Sequence, residues 1–554
     1  MSNALYYGDN LDVLRESIAS ESVDLVYLDP PFNSNASYNV LFKASSGASS
    51  AAQIEAFEDT WHWNESAERA FDAVIVGAYS DASIMVKAMR AALGESDMMA
   101  YLAMMAARIV ELRRVLKLTG SLYLHCDPTA SHYLKLLLDS VFGPTNFRSE
   151  VIWKRTTSYN RAKRWGPVHD VILFYSASDS YTWNRTFSDY DQSYLDGKYR
   201  HKDSQERRYH LSDLTGPGTR TGDSGAEWRG VNPGSYGRHW EPPHDRALPS
   251  WFIFPPGWSA LSVRSRLDLI EAADLIQWPK KVDGRPEFRR YLETASGTPI
   301  QDVITDIDAI NSMAQERLGY PTQKPLALLE RILHASSNEG DIVLDPFCGC
   351  GTAIHAAEKL GRAWRGIDIT HLAVSLVERR LKSAFPSAKY EVYGVPSDIE
   401  GARDLANRDK HEFQKWIAGR IGAQPYKGGR KGMDRGIDGY LHFRDAGQQP
   451  QSAIVSVKGG STKSGDVRDL KGTVEREKAA MGLFLTLNEP SREMEREAAA
   501  AGFYETGGMN FPRIQILTAA QILDGRMPKV PFGFTEGFKK AARETAGKQP
   551  TLGI

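Results

Sequence analysis

The chain has 554 residues, of which 42% are apolar and 25% charged. That length exceeds what one core organises, so two or more domains are expected, and no run approaches the ~20 apolar residues of a membrane-spanning helix. The formal net charge of −1 excludes recruitment of polyanions by a global field, so any nucleic-acid contact has to come from local basic patches.

The opening stretch MSNALYYGDN carries an early acid and no apolar core, so it does not read as a signal peptide. Three cysteines, Cys126, Cys348 and Cys350, make no disulfide framework and fit a reducing, cytoplasmic setting. Leu5 to Tyr7, Val23 to Leu28 and Ser121 to His125 are short apolar runs flanked by Gly, Asp or Pro, the pattern of buried parallel strands. Between them, Met98, Tyr101, Leu102, Met105, Ile109, Leu112 and Leu116 fall on one helical face. Val171 to Tyr175 is another buried run. From about 176 to 312 the pattern turns irregular and rich in Gly, Pro, Arg, His and aromatics.

Order returns with a helix opening on Pro325, a strand running into GDIVLDPFCGCGT, a helix closed by Gly361, the strand AWRGID and a further helix. Alternation at both ends of residues 1–395 predicts one doubly wound α/β sheet interrupted by an insertion. A second alternating unit, 396–535, reads as a separate small α/β domain. A polar tail, 536–554, is expected to fray.

In LDPFCGCGT a strand delivers Asp345, and Gly349 and Gly351 let the backbone approach a ligand before a helix starts near Thr352. A second strand ends on Asp368 about twenty residues on, where a ribose-binding carboxylate belongs. No Walker lysine follows. An acid beside the turn repels a pyrophosphate but suits a cationic ligand with an amino-acid end, and S-adenosylmethionine is such a ligand. Cys348, Cys350 and His355 fall short of a tetrahedral metal set.

With VDLVYLDPPF at Val23 to Phe32, YPTQKP at Tyr320 to Pro325 and DPFCGCGT at Asp345 to Thr352, the chain resembles the β class of amino-methyltransferases acting on DNA. In that class the catalytic half precedes the cofactor half, so the resemblance implies a circularly permuted methyltransferase sheet. It implies that Asp29 and the Pro30 carbonyl accept the N–H bonds of an exocyclic amino group. Pro31 would stiffen the turn, and Phe32 would stack on a base extruded from double-stranded DNA. Accepting those bonds frees the nitrogen lone pair for in-line attack on a methyl sulfonium. The family usually writes Asp in the first slot for adenine N6 and Ser for cytosine N4, so Asp29 favours adenine, with cytosine N4 as the alternative. The resemblance further places Asp9 near the cofactor adenine, Thr322, Gln323 and Lys324 at its methionine end, Asp345, Phe347, Gly349, Gly351 and Thr352 at the turn, and Asp368 on the ribose. Asp9 also fits a helix N-cap.

In the insertion, Arg220, Arg229, Arg238, His239, Trp240, Trp251 and Trp258, preceded by Lys154, Arg155, Arg161, Lys163 and Arg164, suit phosphate contacts and base stacking. In the family this region is the target-recognition domain. In the C-terminal unit, Asp438 on one strand and Lys458 at the end of the next resemble the Mrr-type branch of restriction-nuclease folds, with Glu412 as an extra Mg²⁺ ligand beside Asp438. Ser456 stands where Glu or Gln belongs, and Glu475 or Glu477 would have to substitute. Two readings of this unit stay open, a nuclease and a DNA-binding remnant. A nuclease effector whose methylase half only senses DNA, an RNA or protein methyltransferase, and a homodimeric assembly also stay open.

Overall fold

The structure, a computed structural model, describes residues 3–31, 37–43, 49–58, 63–156, 163, 165–279, 285–311, 314, 316–318, 320, 322–426, 436–446, 449–531 and 541–544. It divides into two compact units, one drawn from residues before 185 and after 301, the other of 185–301.

The first unit is built on nine strands: β1 (Asn3–Tyr7), β2 (Val23–Leu28), β3 (Leu116–Cys126), β4 (Phe147–Lys154), β5 (His169–Ser176), β6 (Val303–Ile304), β7 (Ile342–Asp345), β8 (Ala363–Asp368) and β9 (Tyr390–Tyr393). Their order is β6-β4-β5-β3-β2-β7-β8-β1-β9. The strands share one direction except β5, which runs antiparallel to both β3 and β4. Val343 of β7 pairs with Leu25 of β2, so segments far apart in the sequence meet at the middle of the sheet. The strands read as continuous apolar runs because both faces are covered. Val26 and Leu28 sit in a core with the helix α2 (Asp97–Val115), while Leu25 and Tyr27 face the other core with Leu329 and Leu333 of α3 (Leu326–Ser336). The helix expected from Met98 is there, but it is buried around most of its circumference, and Leu116 already belongs to β3.

Beyond β9, the helices α6 (Ile399–Arg408) and α7 (Lys410–Arg420) lead into a five-stranded sheet with its own cores. Its strands include β11 (Gly439–Arg444), β12 (Pro450–Lys458) and β13 (Met481–Thr486), flanked by β10 (Gln424–Pro425) and β14 (Ile514–Thr518). In the tail, Glu544 pairs with His355 at 3.0 Å, and its amide donates to the Ala384 carbonyl at 3.0 Å.

The second unit pairs short strands around an aromatic core of its own. Trp240 and Trp258 are 1% and 6% exposed, so neither ring is presented for stacking on a base. Trp251 packs against the same core under the Arg207 guanidinium. Arg229 is paired with Asp268 and Glu271 and Arg238 with Asp213, while Arg220 is exposed. His239 is buried. Lys154, Arg155 and Lys163 are exposed in the first unit, and Arg161 and Arg164 lie outside the described residues. The aromatic richness of the insertion therefore largely builds a small core that sequence pattern alone left unread.

Candidate active site

β1, β2, β7 and β8 are parallel neighbours, so their carboxyl ends open on one edge of the sheet, where ligands of such folds bind. A cavity of about 310 Å³ lies there. Its wall takes Asp9 from after β1; Asp29, Pro30 and Pro31 from after β2; Thr322, Gln323 and Lys324 from before α3; Asp345, Phe347, Gly349 and Thr352 from the turn after β7; and Asp368 from the end of β8. Phe32 lies outside the described residues. Gly351 is not in the wall. It adopts φ +72°, caps the helix α4 (Thr352–Lys359), and a Cβ there would stand 2.8 Å from Val377 Cγ2. Its bareness serves the packing of helix on helix. Gly349 (φ +49°) does face the cavity, and a Cβ there would press on the Tyr320 ring at 3.2 Å.

Each acid is held by identifiable partners. Asp9 caps α1 (Asn10–Ser17) by accepting from Leu11 N at 2.8 Å, and it also pairs with Arg108 at 2.9 and 3.1 Å. Arg108 reaches the cavity from α2, donates to Asn10 Oδ1, and burial lowers its pKa against the pull of Asp9. Asp368 accepts from Gly349 N (2.9 Å), Thr370 N (2.9 Å) and Thr370 Oγ1 (2.8 Å), which ties the glycine turn to the end of β8. Asp29 Oδ2 meets the buried Lys324 Nζ at 2.5 Å. Gln323 donates to the Glu316 carbonyl and accepts from Leu318 N, fixing the strap that carries Lys324.

Asp345 is 3% exposed, and its Oδ1 accepts from Phe347 N at 3.1 Å. Burial pushes its carboxyl well above the usual range, and the charges of Asp29 and Asp368 push the same way. Burial likewise raises Asp368. A carboxyl raised in the folded chain holds its proton more tightly there than when unfolded. Its stabilising share is full below the unfolded value of about 4 and is lost as pH rises through the folded value. Asp345→Asn is therefore expected to stabilise the unliganded protein by about 1 kcal/mol at neutral pH and to flatten the fall of stability above about pH 4. Thermal unfolding across a pH series reads this, and a variant that keeps the wild-type pH dependence would contradict it.

Behind the Asp29 turn runs a buried polar chain that the sequence reading missed. Tyr27 Oη meets His125 Nδ1 (3.0 Å), His125 Nε2 meets Asp170 (3.2 Å), and Asp170 meets Arg155 (3.3 Å). Burial, with the nearby Lys324 charge, lowers the His125 pKa. The available signal was a polar residue inside each of two apolar runs, SLYLHC and HDVILF. Asn10, Arg108 and Tyr320 were missed as wall residues as well. A charge within the apolar middle of its helix was the mark of Arg108. Cys348 and Cys350 are buried thiols with raised pKa values, and His355 is engaged by Arg380 and Glu544.

In the C-terminal unit, Asp438 lies against β12: its Oδ2 accepts from Val457 N at 2.6 Å, between the buried Ser456 and the half-buried Lys458. Glu412 is not brought to them. Its carboxylate takes the Tyr7 hydroxyl, pairs with Lys415 at 2.8 Å and lies 3.5 Å from His371 Nε2. Among the described residues no group of three or more His, Cys, Asp or Glu side chains could hold a metal. A single carboxylate beside a serine does not fit Mg²⁺, which needs several hard oxygen ligands.

A mostly parallel sheet with helices on both faces and a ligand cavity at its carboxyl edge defines the doubly wound class of α/β proteins. The chain belongs to the N6/N4 DNA methylase family, whose model matches residues 23–379. Residues 410–524 match a domain described as NACHT-associated inactive restriction endonuclease 1. The type II methyltransferase M.EcaI of Enterobacter cloacae is 27% identical over 416 residues, covering 74% of this chain and 77% of that protein. The StyLTI Mod subunit, of a type III restriction-modification enzyme of Salmonella typhimurium, is 23% identical over 65% of this chain and half of its own length. The DNA adenine methyltransferase YhdJ of Escherichia coli is 44% identical over 81 residues, 15% of this chain and 28% of its own. No helix among the described residues is long and apolar enough to cross a membrane.

Proposed function

We propose that the cavity holds S-adenosylmethionine and that the chain methylates adenine N6 in double-stranded DNA. The observation that carries this reading is the meeting of the Asp29–Pro31 turn with the Asp345–Thr352 turn in one cavity, although they lie at opposite ends of the methylase sequence. The donor set fits the ligand. Asp29, Asp345 and Asp368 line the same space, an acidic wall that favours hydroxyl donors and a cation and disfavours a pyrophosphate. When bound, S-adenosylmethionine supplies a methyl group on a positively charged sulfur.

The chain's own residues orient the acceptor. Asp29 and the Pro30 carbonyl accept the two N–H bonds of the amino group, and this draws the nitrogen lone pair out of conjugation with the ring. Lys324 holds the Asp29 carboxylate in place, and the two prolines fix the direction of both acceptors. Asp368 serves the ribose hydroxyls, and Asp9, braced by Arg108, the adenine side. Thr322 and Gln323 line the strap beside the methionine end. Adenine is favoured over cytosine N4 by the aspartate in the first motif position. Similarity to a protein named a DNA adenine methyltransferase supports the same choice.

In this reading residues 1–395 form the methylase, with the insertion reading the target, and 396–535 an appended domain that does not cut DNA. Every residue invoked comes from one chain, so the reading holds for a monomer or a homodimer. Three buried free cysteines fit a reducing cytoplasm.

The test is transfer from labelled S-adenosylmethionine to DNA, RNA and protein, followed by nucleoside digestion. Label in N6-methyladenine of duplex DNA, and no cutting on adding Mg²⁺, is expected. Label confined to RNA, protein or N4-methylcytosine, or Mg²⁺-dependent cleavage, would contradict it.

A further inference from the structure

Among the described residues no metal set forms around Glu412, yet its carboxylate is engaged by Tyr7 and Lys415 and lies beside His371. It sits in the first turn of α7, after the cap Asp409, and reaches back to the methylase sheet. There it accepts the hydroxyl of Tyr7, the last residue of β1. The Tyr7 ring stacks on His371 with centroids 3.8 Å apart and planes 10° from parallel. His371 opens the helix α5 (His371–Ala384), and its buried Nε2 points 3.5 Å from the same Glu412 carboxylate.

The chain positions on either side matter. Tyr7 is followed by Gly8 and Asp9, and Gly8 N donates to the Asp368 carbonyl at 3.0 Å. His371 is preceded by Asp368, Ile369 and Thr370. Gly8, Asp9 and Asp368 to Thr370 all line the cavity. One side chain of the appended domain therefore holds Tyr7 by a hydrogen bond and lies against the His371 ring, beside both strand-end turns that line the cavity.

Further contacts keep α7 on α5. Arg420 lies 3.6 Å from Glu378, and a Cβ on Gly422 would meet Arg379 at 2.8 Å. Burial and Glu412 push the Tyr7 hydroxyl pKa up, while burial holds His371 down at about 4, so the neutral ring stacks at physiological pH.

We propose that Glu412 is a positioning residue for the cofactor: through Tyr7 and His371, the appended domain fixes the Asp9 and Asp368 turns and so sets cofactor affinity. This rests on the reading of the cavity as an S-adenosylmethionine site. An endonuclease-like domain that does not cleave then acts as a brace on the methylase.

The test uses the full chain and calorimetric titration with S-adenosylhomocysteine for Tyr7→Phe, Glu412→Ala and the double variant, with steady-state methyl transfer alongside. Each single change is expected to weaken binding about fivefold, and the pair no more than about fivefold, because both cut the same link. The KM for S-adenosylmethionine should rise in parallel, while kcat at saturating cofactor and the KM for DNA stay within about twofold, a split that general loosening of the fold would not give. Single variants that bind like wild type, or a double variant whose loss is the product of the singles, would overturn the proposal. Should Glu412→Ala fail to fold, Tyr7→Phe decides the matter by itself, since it keeps the ring and its stacking. A wild-type chain that binds no cofactor would instead overturn the reading of the cavity, and the proposal with it.

Discussion

Asp29→Ala is expected to lower methyl transfer at saturating cofactor about a thousandfold, while the cofactor dissociation constant stays within about twofold. The asymmetry follows from position. Asp29 stands on the turn after β2, facing the space an amino group would enter, and its carboxylate is paired with Lys324 rather than tied to the glycine turn. In the proposed reaction it accepts an N–H bond that strengthens as the nitrogen becomes tetrahedral, so the loss would fall on the transition state and not on ground-state binding. Removing the carboxylate also breaks the ion pair with the buried Lys324, at a stability cost of about 1–3 kcal/mol. Asp29→Asn keeps the shape of the turn and separates that cost from the chemistry. Single-turnover transfer and calorimetric binding on both variants check the expectation. Transfer within tenfold of wild type would remove Asp29 from the chemistry.

Asp368→Ala is expected to do the opposite: to weaken cofactor binding about a hundredfold, with a much smaller change in the rate at saturation. A hydrogen bond to a charged group is worth about 1.5–3 kcal/mol, and this carboxylate makes three to the protein as well as facing the cavity. Losing it releases Gly349 N and the Thr370 cap together, so the turn and the end of β8 come apart in addition to the ligand losing an acceptor. Thr370→Val removes two fewer of those bonds and leaves the carboxylate in place, so its effect on binding should stay below about tenfold. Equal losses in the two variants would mean that the turn alone matters and that the Asp368 carboxylate has no direct part.

Much of this arrangement was legible in the residues because it is local. The runs ending at Leu28, Asp345 and Asp368 are strands, and each hands an acid to the same edge. The glycine turn announced itself by spacing. What joins distant segments was not legible. That Lys324 reaches Asp29 across 295 residues, or that Arg108 braces Asp9, follows from sheet order and helix packing, which no window of sequence contains. The reversed direction of β5 was invisible for the same reason, since a buried run looks alike in either sense. Composition misled at the insertion, where Trp240 and Trp258 read as stacking surfaces and are core. It misled again at Glu412, where a helix acid beside a nuclease-like strand pair suggested a metal ligand and the side chain faces the methylase instead.

The central claim is that the proline-stiffened acid and the glycine turn share one ligand. A crystal structure of the full chain with S-adenosylhomocysteine tests it most directly. The account predicts the ligand sulfur in the cavity on the Asp29 side, with the ribose hydroxyls on Asp368. A ligand bound elsewhere, or one whose sulfur points away from Asp29, would contradict it.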